Sequence, residues 1–157
     1  MTVFACASCG QVLSGDLRRL AGTPAHAGPD RSTVPPGCYA IDPEPFGAPF
    51  ATRAFPEERP ARRRAGAAPR QAPVSAGKRG TVVVHPHDAP SLRAHPDAAR
   101  SSGCCGPCGS FGPNMTCGCG VALATLVADC HGPYELRLDP VRVYAFDAVT
   151  GRPETLA

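Results

Sequence analysis

Cysteine is the residue that most constrains how this chain can fold. The chain has nine cysteines, and six of them lie between residues 104 and 130. Leu, Ile, Val and Phe supply only 28 of the 157 residues, whereas Gly and Pro supply 36. Because so few large apolar side chains bury little surface, the chain needs cross-links in addition to its core. Cysteine side chains are the obvious source of such cross-links.

The chemical state of the cysteines depends on the compartment. Residues 1–6 contain no basic residue followed by an apolar stretch, and no window of 18 apolar residues occurs. We therefore expect no secretory signal, no membrane span and a cytoplasmic location. In that reducing compartment, clustered cysteines are more often metal ligands or redox thiols than disulfides, and an odd count fits a complete disulfide set poorly.

Two compact cysteine pairs have the spacing of metal ligands. The first is Cys6-Ala-Ser-Cys9 followed by Gly10, and the second is Cys117-Gly-Cys119 followed by Gly120. A short turn brings two thiolates to about 2.3 Å from one zinc ion, and a glycine after the second cysteine permits a positive φ. Each pair supplies half of a tetrahedral site. We predict a first zinc site formed by Cys6, Cys9, Cys117 and Cys119.

Together the two pairs resemble the knuckles of zinc-ribbon proteins, a family of small β-structures stapled by metal. The resemblance covers about ten residues at the N-terminus and residues 117–120, although the second pair has one spacer residue instead of two. The 107 residues between Cys9 and Cys117 are tolerable because loop-closure entropy grows only logarithmically with length. The order GCCG, GPN, C-x-C-G and DC between residues 103 and 130 also resembles short, functionally uncharacterised Cys-rich proteins of GC-rich bacteria, which implies no particular activity.

A denser cysteine cluster occupies the Gly-rich segment 103–109. Since consecutive side chains diverge, we expect one of Cys104 and Cys105 to bind a metal while the other packs or serves a different site. Cys38, alone between a Pro-Gly turn and Tyr39, is expected to be an ordinary free thiol. The candidate ligands of a second site are Cys104, Cys105, Cys130, His85 and His95.

The apolar pattern predicts short strands. Residues 81–85 form a β-branched run typical of a buried strand, and runs at 121–127, 134–138 and 141–146 favour a small antiparallel sheet. Short helical turns are expected after Asp88 and at Pro96. We predict one zinc-stabilised domain over residues 1–157, of the α+β class, mainly small antiparallel β with irregular Pro/Gly-rich loops. Residues 57–80 are expected to be a disordered loop rich in Arg, Ala and Pro.

The excess positive charge lies in one stretch of the chain. Residues 51–80 carry eight basic and two acidic side chains, and Arg62, Arg63 and Arg64 are consecutive. Nucleic-acid binding through this stretch is one alternative, but stacking aromatics after Phe55 and a recognisable nucleic-acid motif are missing. A solvated linker is the simpler interpretation.

Enzymatic function is less well supported. The sequence contains no H-E-x-x-H, G-x-S-x-G or phosphate-binding glycine motif, and thiolate-rich zinc sites are usually closed. Cys105-Gly-Pro-Cys108 resembles the active dithiol of thioredoxin-like oxidoreductases, but no strand precedes it and the following residues 109–113 cannot sustain a helix. The sequence thus predicts a zinc-binding interaction or regulatory module with a protein partner and no catalytic activity. Nucleic-acid binding and thiol redox chemistry remain alternatives.

Overall fold

A computed structural model of the chain describes residues 1–25, 28–29, 31–54 and 71–156. These residues form short strands joined by long irregular connections. The strands are β1 Thr2–Cys6, β2 Arg18–Arg19, β3 Cys38–Asp42, β4 Phe50–Ala54, β5 Gln71–Ser75, β6 Thr81–Val84, β7 Arg93–Ala94, β8 Met115–Thr116, β9 Ala122–Val127, β10 Glu135–Leu138, β11 Val143–Asp147 and β12 Pro153–Glu154.

The strands form three sheets. The largest has seven strands in the order β2-β3-β6-β10-β9-β8-β7, and the others have the orders β1-β11-β12 and β4-β5. The pairing of β2 with β3 is parallel, whereas the other strand pairs are antiparallel. The central strands β6, β10 and β9 correspond to three of the runs that the sequence predicts as strands.

The main core lies between the seven-stranded and the three-stranded sheets. Phe4 and Val143 from the three-stranded sheet pack in one cluster with residues of the seven-stranded sheet, namely Val82, Leu136 and Leu123. Successive side chains of a strand point to opposite faces. The next residue, Val83, accordingly belongs to a second cluster with Val34, Cys38 and Ala40. Both faces of the central strand β6 are therefore buried.

The predicted α+β class is wrong, because the described residues are nearly all β. Their helical structure consists of two 3₁₀ turns, Pro86–Asp88 and Ala98–Ser101. The first turn ends at Asp88, where a helical turn was expected to begin, and the second begins at Ala98 after the cap Asp97 and not at Pro96. Each is far too short to offset the cost of starting an α-helix. A further difference concerns β11, which was expected beside β9 and β10 but pairs with β1 and β12 in a separate sheet.

The segment 57–80, predicted to be a disordered loop, includes one strand. Its residues 71–75 are β5, which pairs with β4 in register from Phe50 with Ser75 to Ala54 with Gln71. Residues 57–70, including Arg62, Arg63 and Arg64, lie outside the described residues. Among the described residues, no helix is long and apolar enough to cross a membrane.

Candidate metal centres

The first cysteine pair lies at the tip of a β-hairpin. Strand β1 ends at Cys6, the chain turns, and the backbone N–H of Cys6 donates to the carbonyl oxygen of Gln11 at 2.9 Å. The N–H of Gly10 donates to the carbonyl oxygen of Cys6 at 2.9 Å, and Gly10 has the predicted positive φ, 76°. Because a side chain is strained at this φ, glycine favours the turn that returns Cys9 towards Cys6.

The second pair repeats this arrangement between β8 and β9. The N–H of Cys117 donates to the carbonyl oxygen of Val121 at 3.0 Å, and the N–H of Gly120 donates to Cys117 at 2.9 Å. Gly120 also has a positive φ, 89°. Both knuckles are therefore hairpin turns with a left-handed glycine after the second cysteine.

The fold brings the two hairpin tips together. The four sulfurs of Cys6, Cys9, Cys117 and Cys119 all lie within 4.8 Å of one another. The Sγ–Sγ distance is 3.8 Å between Cys6 and Cys119 and 3.6 Å between Cys9 and Cys117. Sulfurs at the corners of a tetrahedron, each about 2.3 Å from a central zinc ion, are about 3.8 Å apart. The geometry of these four thiols can therefore hold a metal ion.

The protonation of this site differs from one thiol to the next. The backbone N–H of Val121 is the largest cause that lowers the pKa of Cys119 to about 7. Burial, in contrast, raises the pKa of Cys117 to about 12. The backbone N–H of Gln11 favours the Cys9 thiolate, but burial and the neighbouring Cys119 and Cys6 thiols outweigh it and raise the pKa of Cys9. Backbone donors thus face the sulfurs of both knuckles, as the C-x-x-C turn predicts.

Gln11 is a member of this site that sequence reasoning missed. The thiol of Cys117 donates to its side-chain oxygen Oε1 at 3.0 Å. A Cβ atom at Gly118 would lie 2.8 Å from the same oxygen, so the glycine between the two cysteines makes room for Gln11. The only signal in the sequence is the position of Gln11 directly after the first knuckle.

A second group of thiols lies in the Gly-rich segment. The sulfurs of Cys104, Cys105 and Cys130 lie within 4.8 Å of one another, and the Cys105 and Cys130 sulfurs are 2.7 Å apart. Cys104 and Cys105 are exposed, and Cys130 is half-buried. The expectation that the two consecutive cysteines serve different sites is therefore not what the structure shows. A turn at Cys104-Cys105 directs both side chains towards Cys130.

Asp129 organises this second group, and sequence reasoning gave it no role. Its carboxylate, only 5% exposed, accepts hydrogen bonds from the backbone N–H of Cys104 at 2.5 Å and of His131 at 3.0 Å. The bond from His131, followed by that from Cys104, lowers the pKa of Asp129. The Cys105 thiol is the largest cause that raises the pKa of Cys130 to about 12. Nothing in the local run Asp-Cys-His at 129–131 indicates the bond from Cys104, which lies 25 residues away in the sequence.

The two histidines predicted as ligands lie elsewhere. His85 caps the first 3₁₀ turn, where its Nδ1 accepts from the N–H of His87 at 3.2 Å, and burial lowers its pKa. His95 Nδ1 accepts from the N–H of Asp97 at 3.0 Å. Among the described residues, neither histidine belongs to a group that can hold a metal ion. Each accepts a hydrogen bond from the backbone two residues further along the chain, which is a local role that the sequence alone does not separate from ligation.

The remaining cysteines stand apart from both groups. Cys38 is buried beside Val83, and the Arg18 side chain donates to its sulfur at 3.5 Å. Cys108 is half-exposed and is not among the three clustered thiols of the Gly-rich segment. The neighbour of Cys105 is thus Cys130 and not Cys108, and turns follow Cys108 where a thioredoxin-like dithiol needs a helix.

Comparisons with protein-family models, curated proteins and solved structures returned no match. The functional interpretation therefore depends on the geometry of the two thiol groups.

Proposed function

We propose that Cys6, Cys9, Cys117 and Cys119 bind one structural Zn²⁺ ion, and that the protein is an interaction or regulatory module and not an enzyme. The observation that carries this proposal is the near-tetrahedral separation of the four sulfurs. The Cys9 and Cys117 sulfurs are 3.6 Å apart, and the Cys6 and Cys119 sulfurs are 3.8 Å apart. Four thiolates fill the coordination sphere of zinc. Such a site has no open position for a water molecule or a substrate, as is typical of structural zinc.

The position of the site supports a structural role. Cys6 and Cys117 are buried members of the main core cluster, while Cys9 and Cys119 lie at the surface. An ion shared by these residues connects the hairpin that follows β1 with the hairpin between β8 and β9. Because the ion binds the folded arrangement and not the separated hairpins, its binding free energy contributes to folding.

The surface around the first knuckle supports a protein partner. Val12, which follows this knuckle, is 53% exposed, and Tyr144 is 43% exposed. The Tyr144 hydroxyl lies 4.0 Å from the Cβ position of Gly10, so this ring flanks the knuckle. Exposed apolar and tyrosine side chains on a rigid turn are typical of protein-binding surfaces.

The metal assignment is tested by elemental analysis of protein purified under reducing conditions. We expect zinc in the wild-type protein, and the Cys9→Ser/Cys119→Ser double variant should contain one zinc less per chain. Both cysteines are exposed, so serine adds no cavity. Cys108→Ser is the matched control and should keep the wild-type zinc content. A double variant with unchanged zinc content would refute the proposed site.

The partner assignment is tested with a photo-crosslinking residue at position 12 and, as a control, at position 149. Val149 is also an exposed apolar residue, at 89%, but it lies in the turn after β11. We expect protein crosslinks from position 12 that are absent from position 149. Equal crosslinking at both positions would contradict a binding surface at the knuckle.

A further inference from the structure

The thiol group of Cys104, Cys105 and Cys130 differs from the first site in ways that matter for its chemistry. It has three sulfurs and not four, all within 4.8 Å of one another. Two of its cysteines are exposed and the third is half-buried, whereas half of the first site is buried in the core. None of the three belongs to either core cluster. This group therefore does not cross-link residues of the core.

Close backbone packing holds the three thiols in place. A Cβ atom at Gly103 would lie 1.8 Å from the carbonyl oxygen of Gly106, and a Cβ atom at Gly106 would lie 2.5 Å from the carbonyl oxygen of Ala128. The segment also donates from the N–H of Cys104 to the buried Asp129 carboxylate. These contacts join the Gly-rich segment to the chain just before Cys130. Backbone contacts thus position the two parts of the group in addition to the contact between the Cys105 and Cys130 thiols.

One member of this group, Cys104, borders an open cavity. A cavity of about 300 Å³ is lined by Cys104 together with Gly103, Cys108, Val127, Asp129, His131 and Gly132. Cys104 therefore connects the thiol group to this space, whereas Cys105 and Cys130 do not line it. A three-thiolate site with an accessible fourth position is typical of exchangeable or reactive metal, in contrast with closed four-thiolate sites.

We propose that Cys104, Cys105 and Cys130 form a second, exchangeable metal site for a thiophilic ion, Zn²⁺ or Cu⁺, whose remaining coordination position opens to the neighbouring cavity. Thiolate sulfur is the ligand that these soft and borderline ions prefer. Binding replaces three S–H protons by three metal–sulfur bonds and releases the protons to solvent, with no change of oxidation state. This site does not depend on the first one.

Binding requires one local movement. Three sulfurs around an ion at about 2.3 Å are about 4 Å apart in a trigonal arrangement. The Cys105 and Cys130 sulfurs are 2.7 Å apart, so they must separate when the ion enters. Because Cys105 is exposed, its side chain has room to rotate about χ1, and we expect this rotation to provide the separation.

The experiment compares the wild-type chain with the Cys104→Ser/Cys105→Ser/Cys130→Ser triple variant. Both proteins are stripped of metal under reducing, anaerobic conditions and titrated with Zn²⁺ in one arm and with Cu⁺ in the other, against a chromogenic chelator. We expect the triple variant to bind one equivalent less than the wild type in at least one arm. We expect that equivalent to transfer to the chelator at least tenfold faster than the equivalent at the first site.

The controls separate this proposal from the first. Cys108→Ser, which changes a neighbouring cysteine outside the group, should keep both equivalents. The Cys9→Ser/Cys119→Ser variant should lose only the slowly exchanging equivalent of metal. The titration therefore shows separately whether the first site or the second site fails to bind metal. Equal stoichiometry in the wild type and the triple variant in both arms would overturn the second site. A Cys105–Cys130 disulfide found by mass spectrometry in the anaerobic, reduced protein would overturn it as well.

Discussion

Loss of one exposed ligand should reveal how much the first site stabilises the fold. We choose Cys119→Ser because the side chain is exposed, so that serine removes a ligand without leaving a cavity. Cys6→Ser would be less informative, since Cys6 is fully buried and its replacement would also disturb the core.

The expected loss of stability follows from the length of the loop that a bound ion would close. A cross-link between Cys9 and Cys117 closes a loop with 107 residues between its ends. Loop-closure entropy assigns about 4.7 kcal/mol to a loop of about 100 residues. Because domains have a net stability of roughly 5–15 kcal/mol, a bound ion that makes this cross-link would account for a large part of that stability. For a domain of this size, the loss corresponds to a fall in Tm of about 10–20 °C.

The assay is thermal unfolding by circular dichroism under reducing conditions, with metal content measured on the same samples. Wild-type protein, chelated wild-type protein and Cys119→Ser are compared, and Cys108→Ser serves as the control that should unfold like the wild type. A Cys119→Ser protein that lacks the ion but unfolds within about 2 °C of the wild type would refute the reasoning, because a cross-link across so long a loop must stabilise the fold.

Three further predictions concern other parts of the molecule. Gly103→Ala should destabilise the protein by about 1–3 kcal/mol in urea unfolding, because the new Cβ overlaps backbone atoms, whereas Gly22→Ala, with open space around it, should change little. Arg137→Met should cost about 3–5 kcal/mol in the same assay, because it removes the partner of Asp42 and of Glu135, which is 1% exposed; Arg79→Met, in an exposed pair, should cost less than about 1 kcal/mol. Hydrogen bonds from Thr150 lower the pKa of Asp147, so its contribution to stability is present at neutral pH and is lost as the pH falls through that lowered pKa. Asp147→Asn should therefore lower Tm at pH 7, and this loss of Tm should shrink as the pH falls below the ordinary pKa of an aspartate; a loss that stays the same as the pH falls would contradict this cause.

The local chemistry of the knuckles was predictable from sequence. A cysteine pair followed by glycine specifies a tight turn, and the positive φ of Gly10 and Gly120 confirms that expectation. These features depend on residues that are adjacent in the chain. Strands β6, β9 and β10 were predictable for the same reason, because their apolar residues are contiguous or alternate.

The pairing of strands that lie far apart in the chain was harder to predict from the sequence. Strand β1 is buried at all five residues, so Thr2–Cys6 shows no alternation that would mark it as a strand. The partner of β11 is β1, more than 130 residues away, and nothing in a local pattern distinguishes that pairing from one with β10. The role of Asp129 was hidden similarly, because it depends on the approach of the segment 103–109.

The hairpin tips that meet in the first site are made at different times during synthesis. At about 5–20 residues per second, the ribosome adds Cys117 roughly 5–20 s after Cys9. During that interval the nascent chain carries Cys6 and Cys9 without the two thiols that complete the site. If the first site binds a metal ion, that binding has to wait until the second pair is made, and conditions that oxidise or occupy the early pair would act before the fold is able to protect it.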